Sequence, residues 1–345
     1  MEKRVFSPVT IAACHDYTEP TCRAAIAEIA EKSPVLQNIA PGTKIAIKVN
    51  LITLMKPEKA ATTHPALLSA LVAYLHERGA QVVIGDSPGG PYNKSYLDSV
   101  YRTTGMTEAA KAGASLNQDF SIKTADFPGA TAAKSFEYTG YLDSADLIIN
   151  FCKLKTHGMM TMSCAVKNMF GTVPGLTKPA YHYQYPDYPT FANMLIDLNE
   201  YFHPSLNIVD AVIGMEGNGP TSGTPRQVGA VLASESPYTL DLVCAKLIGL
   251  TADDIPTLEA AYLRGLAPRT ADEVTLIGNV EPFIIPDYKT SSSEQEMELF
   301  VSMDNAVGRF CNRTVKKILA VRPILIPQKC VGCSKCAGLC PAHAI

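Results

Sequence analysis

The chain has 345 residues, of which 47% are hydrophobic and 18% charged, an ordinary globular composition with enough apolar material for a sizeable core. That length allows about two domains, or one large α/β domain with an appendage, and a formal net charge of -3 argues against nucleic acid as the main partner. No apolar run approaches the roughly 20 residues of a membrane span, and His15, Asp16 and Glu19 interrupt the N-terminus too early for a secretory signal, so no membrane partner is expected and the ten cysteines are expected to stay thiols in a reducing cytoplasm.

Taken in order, short apolar runs alternate with segments of helical period, the pattern of a mostly parallel sheet flanked by helices. Residues 9–13 read as a strand, 21–31 as a helix and 44–49 as a second strand that runs into Asn50. His64 and Pro65 open a helix over 66–78, which Gly79 stops. The strand at 81–85 empties into Asp86, Ser87 and a Gly89-Gly90 pair, where backbone can approach a ligand closely or simply turn. Helical pattern fills 94–113, and the apolar strand at 146–150 leads to Lys153, Lys155 and His157. Residues 161–170 read as a helix bearing Cys164, Lys167 and Asn168. An aromatic loop at 181–188 follows, either a lid or a packed surface loop, then a helix at 191–201 and a strand at 206–209 that delivers Asp210 and, beyond it, Glu216. A strand at 228–233, helices at 238–250 and 258–264, a connector at 291–296 and a helix at 305–319 complete the body. The expected division is an α/β domain over 1–320 and a small cluster-binding segment over 321–345.

That last segment carries the most specific signal. Cys330, Cys333, Cys336 and Cys340, followed by Pro341, have the spacing C-x2-C-x2-C-x3-C-P of bacterial ferredoxins, which wraps backbone around a 4Fe-4S cluster. Structural zinc sites gather separated pairs across a longer loop, and a disulfide knot does not suit a reducing compartment. In two-cluster ferredoxins the fourth cysteine of such a run ligates the other cluster. The remaining cysteines at 14, 22, 152, 164, 244 and 311 are scattered, and a scattered cysteine is more often a small buried apolar residue than a ligand. The expectation is therefore a longer native chain or a partner supplying a second run, with Cys340 closing its own cluster as the alternative.

Elsewhere the chain resembles a known family. Lys48-Val49-Asn50, Gly85-Asp86-Ser87, Asn150-Phe151-Cys152-Lys153-Leu154-Lys155-Thr156-His157, Lys167-Asn168-Met169-Phe170-Gly171 and Asp210 through Gly217 are similar to the domain of unknown function 362 family. The likeness covers most of residues 8–280, and the family often carries ferredoxin-type segments. It implies a fold and a cluster without supplying a reaction.

Physically, each of these stretches follows the carboxyl end of a predicted strand or lies one turn beyond it, where open α/β sheets place their ligand crevice. Lys48, Lys153, Lys155, His157 and Lys167 would make that rim cationic and suited to a small anionic ligand. Asn50, Ser87 and Asn168 add directional hydrogen bonds, and Asp86, Asp210 and Glu216 suit a hard cation or a substrate hydroxyl. Lysines at strand ends are also often merely solvated, and Asp210 has a turn-capping alternative. His157, Lys155 and Lys167 are the candidate catalytic groups, His157 because neighbouring basic residues lower its pKa. Nucleotide, P-loop, serine-hydrolase and zincin motifs do not occur. The expected function is an iron-sulfur oxidoreductase that exchanges electrons with a carrier or partner redox protein. A non-catalytic electron-transfer or cluster-delivery module and a nonredox enzyme with a structural cluster are the alternatives.

Overall fold

The computed structural model describes residues 5–290, with strands β1 (Val9–Ala13), β2 (Lys44–Lys48), β3 (Gln81–Gly85), β4 (Ala114–Leu116), β5 (Ile122–Asp126), β6 (Ser135–Thr139), β7 (Leu147–His157), β8 (Thr161–Ser163), β9 (Leu206–Glu216), β10 (Thr224–Ser234) and β11 (Leu276–Ile277). The α-helices are α1 (Glu19–Lys32), α2 (Pro34–Gln37), α3 (Pro65–Glu77), α4 (Lys94–Thr103), α5 (Met106–Ala110), α6 (Ala165–Asn168), α7 (Lys178–Gln184), α8 (Tyr188–Phe202), α9 (Pro237–Leu247) and α10 (Pro256–Leu263). The cysteine run at 330–340, the connector at 291–296, the helix at 305–319 and the boundary after 320 lie outside the described residues.

Among the described residues one sheet runs in the order β11-β1-β10-β9-β7-β2-β3-β4, with β8 paired to β7, and β5 and β6 form a separate antiparallel ribbon. From β4 through β3, β2 and β7 to β9 the strands are parallel, whereas β10 is antiparallel to both of its neighbours. The parallel strands are apolar on both faces because helices cover both. Ile45, Ile47, Ile149, Phe151 and Ile208 pack with α1 and α3, while Cys152, Leu154, Val209 and Ala211 pack with α9 on the other side. β2 and β7 are sheet neighbours but far apart in the chain. From β2 the chain builds outward to β3 and β4, and from β7 it builds the other way to β9 and β10. Their junction is the point where strand order reverses, and it fixes where a crevice opens.

Four local expectations are corrected. β7 does not end at Asn150 but runs on to His157, 11 residues in all, because β8 folds back and pairs with its second half. The helix expected at 161–170 is divided accordingly. Ser163 is held in the ladder opposite Lys155, one turn of α6 follows, and residues 169–172 tighten into a 3-10 turn. The aromatic stretch at 181–188 is not a loop but the end of α7 and the start of α8, which Asp187 caps by accepting from the Thr190 N–H. The helical pattern at 94–113 breaks at Gly105, whose φ of 80° ends one helix and starts the next.

Candidate functional site

The residues singled out at strand ends do converge at the β2/β7 junction, but as a buried array and not as a solvated rim. Lys48, Lys153 and Lys155 are each at most 1% exposed. A buried ammonium needs acceptors for its three protons. Lys48 has all three: Asp86 Oδ1 at 2.8 Å, the Val49 carbonyl at 2.7 Å and Asn168 Oδ1 at 3.1 Å. Asp86 is itself held from below, since its oxygens accept from the Ser87 and Leu51 N–H groups. Gly171 is required here, because a Cβ at that position would run into both Asp86 Oδ1 and the Lys48 ammonium.

Three residues beyond Asn150, the β7 partner of Lys48, Lys153 faces Asp210 in the β7/β9 register and forms a second buried ion pair at 2.9 Å. Lys153 also donates to Tyr17 Oη at 2.7 Å, and Tyr17 donates to the other oxygen of Asp210 at 2.8 Å. Asp210 Oδ2 takes the His64 N–H as well, and the His64 ring stacks on Tyr17 with centroids 3.5 Å apart. Burial above all holds His64 down at about 4, so its imidazole is neutral near pH 7. Both aspartates thus have their oxygens engaged and serve to neutralise a lysine. Glu216 stands apart, accepting from the Lys289 N–H.

Three further lysines complete the array without a carboxylate. Lys155 donates to Asn50 Oδ1 and to the Ala61 carbonyl, and Asn50 in turn donates to Asn168. Lys178 donates to the Ser87 and Val173 carbonyls. Lys167, on α6, makes no hydrogen bond or ion pair among the described residues and sits 5.8 Å from the Phe170 ring centroid. Burial first, and neighbouring ammonium groups second, pull Lys155 well below its ordinary value and Lys167 down to about 8. Lys178 falls to about 7, mainly through burial, with Asp86 opposing. His157 is pushed well below the usual histidine range by burial, then by Lys167 and Lys155, and its Nδ1 accepts the Met159 and Met160 N–H groups. Its neutral form therefore carries the proton on Nε2.

The short α6 owes its position to anchors at both ends. Asp241 from α9 accepts the Ala165 and Val166 N–H groups, and Asn168 donates to Asn150, which donates to Asn207 across the sheet. Ser87 is 1% exposed and its Oγ has no hydrogen-bond partner among the described residues. Lys178, His182, Tyr17 and His64 belong to the site although their sequence surroundings mark only helix starts and loops. Among the described residues no group of three or more His, Cys, Asp and Glu side chains is arranged to hold a metal ion, and no helix is long and apolar enough to cross a membrane.

A thylakoid-associated protein of Synechocystis sp. is 30% identical over 291 residues, covering 81% of this chain and 84% of that protein. Two solved structures are more distant. The lactate racemase apoprotein from Thermoanaerobacterium thermosaccharolyticum is 12% identical with a TM-score of 0.44, covering 72% of this chain, which spans 58% of that one. A protein from Thermotoga maritima is 9% identical with a TM-score of 0.37, with coverages of 74% and 59%. The model of the domain of unknown function DUF362 matches residues 45–246, from β2 through α9 and so across every strand that borders the crevice, and the chain belongs to that family.

Proposed function

We propose that the protein is an iron-sulfur oxidoreductase of the cytoplasm that binds a small anionic ligand at the β2/β7 junction. The observation that supports the binding half is the unequal pairing of the buried charges: five lysines meet there, and Asp86 and Asp210 answer only Lys48 and Lys153. With two of three protons committed on Lys155 and on Lys178, and none on Lys167, five ammonium N–H bonds remain for a ligand. Lys155 is buried and Lys167 and Lys178 are half-buried, so ammonium groups without counterions are unfavourable there, and an anion placed among them relieves that cost. His157, neutral with its proton on Nε2 and beside Lys155 and Lys167, is a hydrogen-bond donor for such a ligand.

The redox half rests on Cys330, Cys333, Cys336 and Cys340, whose four soft thiolates at ferredoxin spacing are the donor set a 4Fe-4S cluster takes. Such a cluster, when bound, supplies single electrons at a potential tuned by its surroundings, to be exchanged with an external carrier or partner redox protein.

Anaerobic purification followed by iron, sulfide and small-molecule analysis of one sample tests both halves. Iron and sulfide in cluster proportion together with a co-purifying anion are the expected result. Lys155→Ala and Lys167→Ala should each weaken retention of that anion about tenfold, the loss of one charge-assisted hydrogen bond. An empty crevice in a protein that forms a stable complex with another redox protein would select the electron-transfer module instead. A cluster that never changes oxidation state would remove the oxidoreductase reading.

A further inference from the structure

The crevice carries more positive charge than its carboxylates neutralise, and the surplus is concentrated on one side. Lys167 from α6 and Lys178 from α7 stand 5.8 and 5.7 Å from the centroid of the same Phe170 ring. Lys178 also donates to the carbonyl of Ser87, the residue whose buried hydroxyl is unpartnered among the described residues. Two ammonium groups thus lie within 6 Å of one ring, and one of them is bonded to the backbone of the residue that follows Asp86 at the end of β3. The charged and titratable groups that act on these two lysines come from every surrounding element: Lys48 from β2, Asp86 after β3, Lys155 and His157 from β7, and His182 from α7. Asp86 is the only acid among them, and Lys48 already occupies it.

We propose that the ligand of this crevice is a dianion and that it binds together with protons taken up from solvent by Lys167 and Lys178. The inference rests on the anion-binding reading above and gives it a substrate class. Lys155 already donates to Asn50 and Ala61, so a monoanion would leave one of the two half-buried lysines beside Phe170 uncompensated, whereas two negative charges answer both. In the ligand-free protein burial, with repulsion from Lys48 on both and from Lys167 on Lys178, keeps Lys178 near 7 and Lys167 near 8, so around pH 8 Lys178 is mostly unprotonated and Lys167 about half so. A dianion reverses the balance. Each neutral amine takes one proton from the buffer and becomes an ammonium, and the buffer acid becomes its conjugate base.

Titration calorimetry on the full chain, with sulfate as the dianion and chloride as the monoanion, tests this. Sulfate stays fully ionised through the working range, so any proton taken up belongs to the protein. Run in two buffers of different ionisation enthalpy, sulfate binding should show uptake of about one proton or slightly more at pH 8 and about none at pH 6, with affinity falling above pH 8. Chloride should bind at least tenfold more weakly. Lys167→Met should lower both affinity and uptake. Sulfate binding whose heat does not depend on the buffer at pH 8, or chloride binding as tight as sulfate, overturns the proposal while leaving an anion site in place. Failure of both anions to bind at pH 6, where both lysines are charged, would overturn the proposal and the anion-binding reading together.

Discussion

Replacing Lys167 with methionine should make the protein more stable at neutral pH while weakening its hold on anions. The lysine sits at about 8 in the fold against an ordinary 10.5. At about 1.4 kcal/mol per tenfold, carrying that proton at pH 7 costs the folded state about 3 kcal/mol, and partial exposure of the side chain trims this to about 2. Lys167 makes no hydrogen bond among the described residues, and methionine keeps the length and apolar character of its stem beside Phe170. Little is lost to set against the gain. The sign follows from linkage. Between pH 8 and 10.5 the unfolded chain binds the proton and the fold does not, so parental stability climbs across that window, and below pH 8 the full penalty applies. Urea unfolding at pH 7 should place the variant's midpoint higher by about 0.7 M, taking an m-value of about 3 kcal/mol per M. At pH 10.5 the two midpoints should nearly coincide. A variant that is no more stable at pH 7, or a gap that does not change with pH, would refute the premise that Lys167 is a buried, unanswered charge.

Asp210→Asn should destabilise by about 3 to 5 kcal/mol in the same urea assay, because Lys153 is then left buried without its counterion. Gly171→Ala forces a methyl group against Asp86 and Lys48, and a loss of about 1 to 3 kcal/mol, seen as a lowered thermal midpoint, is expected. In anaerobically reconstituted protein, Cys333→Ser should bleach the visible charge-transfer band and lower the iron content, and an unchanged spectrum would remove Cys333 from the ligand set.

The sheet and most of the site are legible from the residues alone. The alternating run Lys44 to Val49, ending in lysine and asparagine, announces both a strand and a polar end to it, and Lys48 and Asn50 do meet Asn168 in the fold. What periodicity does not reveal is depth. Lysines at strand ends read as a rim, and partners from distant segments make them interior: Tyr17 for Lys153, Asn50 and Ala61 for Lys155, Asn168 for Lys48. Nor does local pattern reveal partners that arrive from elsewhere. Tyr17 reaches Asp210 across 193 residues, and nothing around Tyr17 distinguishes it from any loop tyrosine. Lys178 looks like the polar start of a helix, which it also is. The length of β7 was hidden for a related reason, since its second half alternates lysine with apolar residues and is held extended by β8, a segment that by itself has helical period.

The anchoring of α6 makes the sheet and α9 joint owners of Lys167. A helix of one turn stores no stiffness of its own, so the lysine's place is whatever Asp241 at one end and the Asn168-Asn150-Asn207 chain at the other dictate. Asn207 lies on β9 and donates onward to the Ser234 and Glu235 carbonyls just before α9 begins, so the two tethers close into a loop that includes α9 itself. Any displacement of Lys167 would therefore load α9 from both ends of that loop. In mechanical language α6 is a coupling pin between the sheet and α9.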